Sequence, residues 1–157
     1  MIKINVIVKD KIWLKILKDP EKYLKRQSKK IQNIKFFSSK KNYHLNIMLA
    51  NSKRIQMLND KFRKKNKPTD ILSFPSYEKN ELRKIIRKNK DIYLGDIIIN
   101  IQKLSYRSDK KKFFVRFNEL WIHALLHLFG YKHKKNLDYK KMNFLEKQLL
   151  NKIYNNA

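Results

Sequence analysis

The order of elements legible in the chain predicts an α+β fold, a small mixed sheet packed against helices. Three observations carry that expectation. Ile2, Ile4, Val6 and Val8 share one parity against Lys3 and Asn5, and Leu45, Ile47 and Leu49 alternate in the same way, as half-buried strands do. The last third of the chain instead repeats its apolar residues at intervals of three and four.

The first strand is expected at Ile2–Val8. From about Lys11 to Gln27, Trp13, Leu14, Ile16, Leu17, Tyr23 and Leu24 fall at near-helical spacing, interrupted at Pro20, so a helix or helix pair is expected there. A second strand spans His44 to Ala50. Asn51 or Ser52 then caps a helix carrying Ile55, Leu58 and Phe62. A polar turn around Pro68 leads to Ile71, Leu72 and Phe74, a short strand stopped by Pro75. The Lys-rich stretch from Glu78 to Lys90 reads as a connector with room for a helical turn, after which Gly95 opens a strand from Asp96 to Asn100. Phe113, Phe114, Phe117, Leu120, Trp121, Ala124, Leu125 and Leu128 give a helix with a wide apolar stripe, ended by Gly130. Met142, Leu145, Leu149 and Ile153 mark a final helix from about Leu137 to Tyr154. Residues 1–157 are expected to form a single domain.

Lys and Arg number 39 against 13 Asp and Glu, a formal charge of +26, which points to a polyanionic partner, nucleic acid first. The same excess, spread from Lys15 to Lys147 in a chain rich in Asn and Ile, also fits a drift toward A- and T-rich codons, and only its location on the fold separates the two readings. The chain has no cysteine, which excludes disulfides and thiolate metal sites. No apolar run approaches the eighteen or so residues that span a membrane, so a cytoplasmic protein without membrane partners is expected.

Three of the four histidines fall within eleven residues, His123, His127 and His133. Spaced by four on a helix, His123 and His127 present their rings on one face, about 6 Å apart at Cβ, close enough to converge on one ion. Gly130 supplies the left-handed conformation that turns the chain back, so that His133 approaches from another side. Three imidazoles leave a fourth tetrahedral position to water, the pattern of a catalytic zinc site and hence of a hydrolase; Ni, Cu and Fe suit imidazole too. The alternative is an ordinary boundary pair on an amphipathic helix with an exposed His133. The spacing also matches the peptidase pattern H-E-x-x-H-x-x-G-x-x-H, but Ala124 occupies the place of the glutamate that moves protons in peptide hydrolysis, which makes a zinc peptidase the second choice. Glu119, one turn before His123, is a candidate to orient that ring, or a surface ion pair.

The run His123-Ala124-Leu125-Leu126-His127-Leu128-Phe129-Gly130-Tyr131-Lys132-His133 resembles the H-G-x-L-H-L-x-G-Y-D-H signature of the YbeY family of metal-dependent endoribonucleases, with Ala124 and Lys132 as departures. Leu58 to Pro75 is similar to the family block L-N-x-x-[YF]-R-x-K-D-K-P-T-D-V-L-S-F-P, and Leu94 to Asn100 to L-G-D-I-V-I-S; the pairing of Met142 and Glu146 agrees as well. The resemblance implies a zincin-like fold, cleavage of single-stranded RNA, a metal held by His123, His127 and His133, and work on ribosomal RNA and the small ribosomal subunit in maturation and quality control. It also implies a catalytic or phosphate-binding role for Arg63, whose planar fork matches two phosphate oxygens and can stabilise charge in the transition state. Lys61, Lys67 and Ser73 are candidates to line an RNA path, against simple solvation of the lysines and turn hydrogen bonding by Ser73. Asp70 and Asp96 are expected to be structural. A non-catalytic RNA-binding module for ribosome assembly is the remaining alternative.

Overall fold

A computed structural model describes residues 1–37, 40–104, 109–132 and 136–155. Among them, strand β1 (Ile2–Val8) leads through helices α1 (Ile12–Ile16) and α2 (Pro20–Ile31) to β2 (Asn42–Ala50). Helix α3 (Ser52–Arg63), strand β3 (Ile71–Pro75), helix α4 (Lys79–Lys88) and strand β4 (Asp91–Asn100) follow, and α5 (Lys110–Leu128) and α6 (Asn136–Asn155) close the chain. The sheet order is β1-β2-β4-β3, with β1, β2 and β4 parallel and β3 antiparallel to β4 at the edge. The expected α+β fold with a mixed sheet is therefore present.

Alternation along the strands sorts their side chains onto two faces. Ile47, Leu49, Ile97 and Ile99 join Trp13, Leu24, Phe113, Phe117, Trp121 and Leu149 in the main core, formed where α2, α5 and α6 pack together on one side of the sheet. Ile98 points the other way and meets Ala50, Leu72 and Ile55, so α3 covers part of the second face. The rest of that face carries a polar ladder. Asn5 donates to Asn46 (3.0 Å), and both Asn46 (2.7 Å) and the Tyr93 hydroxyl (2.6 Å) donate to the Asp96 carboxylate. Burial, then the hydrogen bond to Asp96, raise the Tyr93 hydroxyl well above its ordinary value. Asp96 is structural, as expected, but through the middle of a strand rather than a cap.

Capping explains several boundaries. Asn51 accepts from the Arg54 amide at 3.0 Å and Asp19 from the Lys22 amide at 2.8 Å, each satisfying an otherwise orphaned first-turn donor. Asp109 does the same for α5 through the amides of Lys111 and Lys112. Pro20 starts α2 instead of kinking a longer helix, because a first-turn position loses no hydrogen bond to a proline.

Two expectations need correcting. The 78–90 stretch is not a connector with one turn; it holds the ten-residue helix α4, although Leu82 alone is buried. Strand β4 begins at Asp91, five residues before Asp96, and Gly95 lies inside it at a bulge, where the register against β2 shifts between His44 and Leu45. At φ +133°, a Cβ on Gly95 would stand 2.1 Å from the Phe74 carbonyl oxygen, so the glycine lets β3 close against the bulge.

Candidate active site

Helix α5 is apolar on most of its surface, but Arg116, Glu119, His123 and His127 recur on one side at helical spacing. That side faces a cavity of about 460 Å³ between α5, α6 and the start of β3, lined by Asp70, Ile71, Arg116, Glu119, His123, Asn143, Glu146 and Lys147 among others. A larger hollow of about 690 Å³ lies elsewhere, by Phe36, Leu145 and Asn155, and neither imidazole reaches it.

His123 and His127 converge as their spacing requires. Their Nε2 atoms are 3.0 Å apart and the rings meet edge to face at 4.6 Å between centroids. Each ring is held from behind by an oxygen. His127 Nδ1 lies 2.7 Å from the carbonyl of Tyr131, and His123 Nδ1 lies 3.3 Å from Glu146 Oε2. A carbonyl accepts only, so His127 Nδ1 donates to Tyr131, and His123 Nδ1 donates to Glu146 wherever that carboxylate is ionised. In neutral rings that tautomer leaves both Nε2 atoms as acceptors 3.0 Å apart, an arrangement that favours a proton or a metal ion shared between them.

The Tyr131 carbonyl reaches His127 because of how α5 ends. Gly130 at φ +86° donates to His127 O (2.9 Å), and Tyr131 N donates to Leu126 O (3.2 Å), the paired bonds of a Schellman turn. The turn rests on α4. A Cβ on Gly130 would meet Lys79 Cβ at 2.8 Å and Cα at 2.9 Å, and Lys79 Nζ lies 4.9 Å over the Tyr131 ring and 3.2 Å from Asp138. Burial, and then Asp138, raise the Tyr131 hydroxyl above its ordinary value. Lys132, a departure from the family signature, forms an exposed ion pair with Glu78 at 2.7 Å, an interaction of small energetic weight.

His133 lies outside the described residues. Among the described residues, no group of three His, Cys, Asp or Glu side chains is arranged to hold a metal ion. Glu119 pairs with Arg116 (3.3 Å), whereas the carboxylate at the His123 Nδ1 belongs to Glu146, 23 residues further on. Arg116 also holds Asp70 Oδ2 at 2.9 Å, so Asp70 belongs to the cavity wall. Sequence reasoning assigned nothing to Arg116, although its place seven residues before His123 on an otherwise apolar helix was a usable signal.

Arg63 ends α3 and donates through Nη2 to the Ser73 carbonyl at 3.0 Å, with its guanidinium 5.7 Å over the Phe74 ring. The hydrogen bonds Asn100 N to Asp70 O and Ser76 N to Leu94 O set the β3–β4 ladder, which turns the backbone groups of residues 71, 73 and 75 to the open edge. Arg63 therefore covers one edge carbonyl. Lys61, Arg63, Lys64, Lys65 and Lys67 are all exposed. Buried Asn59 fixes this loop by donating to the Lys67 carbonyl at 2.8 Å, and three residues later Asp70 reaches the cavity. Cations thus gather at one approach to the cavity.

An α+β protein with a buttressed imidazole pair at an open cleft that His123 lines, approached by clustered cations, has the makings of a hydrolytic enzyme for an anionic substrate. Comparison with known proteins is more specific. The family model described as endoribonuclease YbeY matches residues 11–154. The chain is 37% identical over 149 residues to the endoribonuclease YbeY of Pelagibacter ubique (strain HTCC1062), covering 90% of each. To that of Ehrlichia canis (strain Jake) it is 34% identical over 156 residues, covering 98% of this chain and 93% of the relative. The solution structure of TM1509 from Thermotoga maritima aligns with a TM-score of 0.56 at 26% identity, over 99% of this chain and 91% of that one. The chain belongs to the endoribonuclease YbeY family.

Proposed function

We propose that this protein is a single-strand-specific endoribonuclease that binds one zinc ion through His123, His127 and His133 and acts in ribosomal RNA maturation and ribosome quality control. The observation that carries the reading is the convergence of two Nε2 lone pairs whose opposite ring nitrogens are held by Glu146 and by the Tyr131 carbonyl. The two described donors suit the ion. Tetrahedral zinc with Zn–N bonds of about 2.0–2.1 Å separates two ligand nitrogens by about 3.4 Å, close to the 3.0 Å between His123 and His127. Oxygens behind ligand imidazoles fix their orientation and raise their basicity, which is the part Glu146 and Tyr131 play. The zincin-like arrangement belongs to the same reading, with the imidazole pair on α5 and the antiparallel edge strand β3 beside it.

Bound there, zinc would supply Lewis-acid polarisation and lower the pKa of a water molecule toward neutrality. The chain's own residues do the rest. Arg116 lines the cavity with His123 and can neutralise phosphoryl oxygens, while Asp70 and Glu119 fix its direction. Arg63, anchored on the Ser73 carbonyl, binds a phosphate at the cavity's approach, and Lys61 and Lys67 add charge there. Ser73 thus acts through its backbone as a positioning residue for Arg63. The ribosomal destination rests on the family resemblance. Ala124 is buried, with 1% exposure, and offers no proton-transfer group, which disfavours a peptidase.

The test is incubation of a single-stranded RNA, and separately of an unstructured protein, with wild type and His127→Ala, each with zinc or with chelator. RNA cleavage that needs both zinc and His127 is expected. Zinc-dependent cleavage of the protein alone would establish the peptidase, and RNA binding without any cleavage would establish the binding module. Product ends identify the nucleophile, since a 2′,3′-cyclic phosphate marks the RNA 2′-hydroxyl and a 5′-phosphate marks water.

A further inference from the structure

The apolar stripe of α3 runs Ile55, Leu58, Phe62, but the sheet beneath it ends at edge strand β3. Ile55 is fully buried and Leu58 is partly so, while Phe62, one turn further, is 59% exposed. Its ring meets half-buried Phe74 of β3 edge to face at 5.3 Å. Lys61 Nζ lies 5.4 Å over the Phe62 ring, and the Arg63 guanidinium lies 5.7 Å over Phe74. An aromatic pair with one exposed ring, interleaved with cations, therefore stands at the edge of the sheet. Protein docking surfaces seldom surround their apolar centre with like charges, whereas a single-stranded polynucleotide offers planar bases and anionic linkages in alternation.

We infer that Phe62, braced by Phe74, is a stacking platform for one unpaired base of the RNA, with Lys61 and Arg63 on the adjoining phosphates. The inference rests on the RNA reading above and adds to it a contact that responds to bases instead of charge. Phe74 lies three residues along β3 from Ile71, which lines the histidine cavity, and a strand rises about 3.3 Å per residue, so the platform stands about 10 Å along the edge from the cavity. Phe74 and Ile71 point to opposite faces of the sheet, so the RNA crosses the β3 edge beside Arg63. A duplex, whose bases are already stacked, has no face to offer. The platform thereby provides a physical basis for preferring single strands.

Full-length protein is held in chelator, so that nothing is cut, and titrated with a short oligouridylate. Phe62→Leu, which keeps an apolar group at an exposed position, should weaken binding about 5- to 150-fold, the usual value of one stacked base, with the salt dependence unchanged. Phe62→Tyr should restore it. In Phe62→Trp the new indole is read against Trp13 and Trp121, both 0% exposed. Its fluorescence should be quenched by oligouridylate but not by an abasic ribose-phosphate oligomer of equal charge or by duplex RNA. Wild-type binding that Phe62→Leu leaves within twofold, or equal quenching by the abasic oligomer, overturns the platform and leaves the RNA reading standing. Failure of folded wild type to bind oligouridylate at low salt overturns both.

Discussion

Gly130→Ala tests whether the backbone turn after α5 holds His127 in place. The substitution forces a Cβ into a left-handed backbone at φ +86°, which costs about 1–2 kcal/mol. It also sets that Cβ 2.8 Å from Lys79 Cβ and 2.9 Å from Lys79 Cα, at the first residue of α4. A backbone atom cannot rotate aside as a side chain can, so the start of α4 or the turn itself must move, for about 1–3 kcal/mol more. The total of about 2–5 kcal/mol should lower the melting temperature by on the order of 10 °C for a chain of this length. Movement of the turn also withdraws the Tyr131 carbonyl, now 2.7 Å from His127 Nδ1, and loss of such a support typically weakens metal binding 10- to 100-fold. Thermal unfolding reads the first effect, and zinc competition with a chromophoric chelator, run well below the melting transition, reads the second. Gly130→Asn, which tolerates the left-handed region but keeps the Cβ contact, should recover about 1 kcal/mol of stability. A folded Gly130→Ala protein that is destabilised yet binds zinc within twofold of wild type would refute the idea that this carbonyl positions His127.

Other perturbations have equally definite outcomes. Glu146→Ala should weaken zinc 10- to 100-fold in the same competition, with Glu146→Gln intermediate because an acceptor oxygen remains; identical affinities for all three proteins would remove Glu146 from the site. Arg116→Ala should slow RNA cleavage and lower the slope of log affinity against log salt by about 0.7, the value of one single-strand phosphate contact; an unchanged slope would show that Arg116 serves only Asp70 and Glu119. Burial raises the Tyr23 hydroxyl from 10.0 to about 12, outweighing the lowering effect of its hydrogen bond with Asn118. The folded state therefore holds that proton after the unfolded chain has lost it, and stability present below pH 10 should fall as pH rises from 10 toward 12. Denaturant unfolding of Tyr23→Phe over that window should show a shallower decline, and equal slopes would discount the effect.

What could be read in advance was whatever lies within one element. His123 and His127 share a face because a helix repeats every 3.6 residues, and Gly130 ends the helix because few other residues accept a positive φ. The partners of those histidines could not be read so simply. Glu146 meets His123 only because α6 packs on α5, a tertiary fact with no local period, while Glu119, the nearer candidate, forms with Arg116 the ion pair that was its alternative reading. Strand β4 was foreshortened for a related reason. Ile92 and Leu94 alternate in one parity and Ile97 and Ile99 in the other, so the bulge at Gly95 breaks the period-two signal in the middle of the strand. Helix α4 went unread although Leu82, Ile85 and Ile86 stand at helical spacing, because three apolar residues among lysines and arginines make too short a stripe to be decisive. The run of cations from Lys61 to Lys67 is plain in the sequence, but only the fold shows that it leads to Asp70 in the cavity wall.

The chain keeps two glycines in 157 residues, and at both of them an added methyl group would collide with a neighbour, Phe74 at Gly95 and Lys79 at Gly130. Where space allows, the chain does without: Lys64 ends α3 in the left-handed region at φ 56° with a full side chain. That economy leaves stability in reserve, because Lys64→Gly would relieve about 1 kcal/mol of backbone strain. It also leaves the architecture with two glycines at which any side chain carries a direct steric cost, one closing the sheet and one aiming an imidazole.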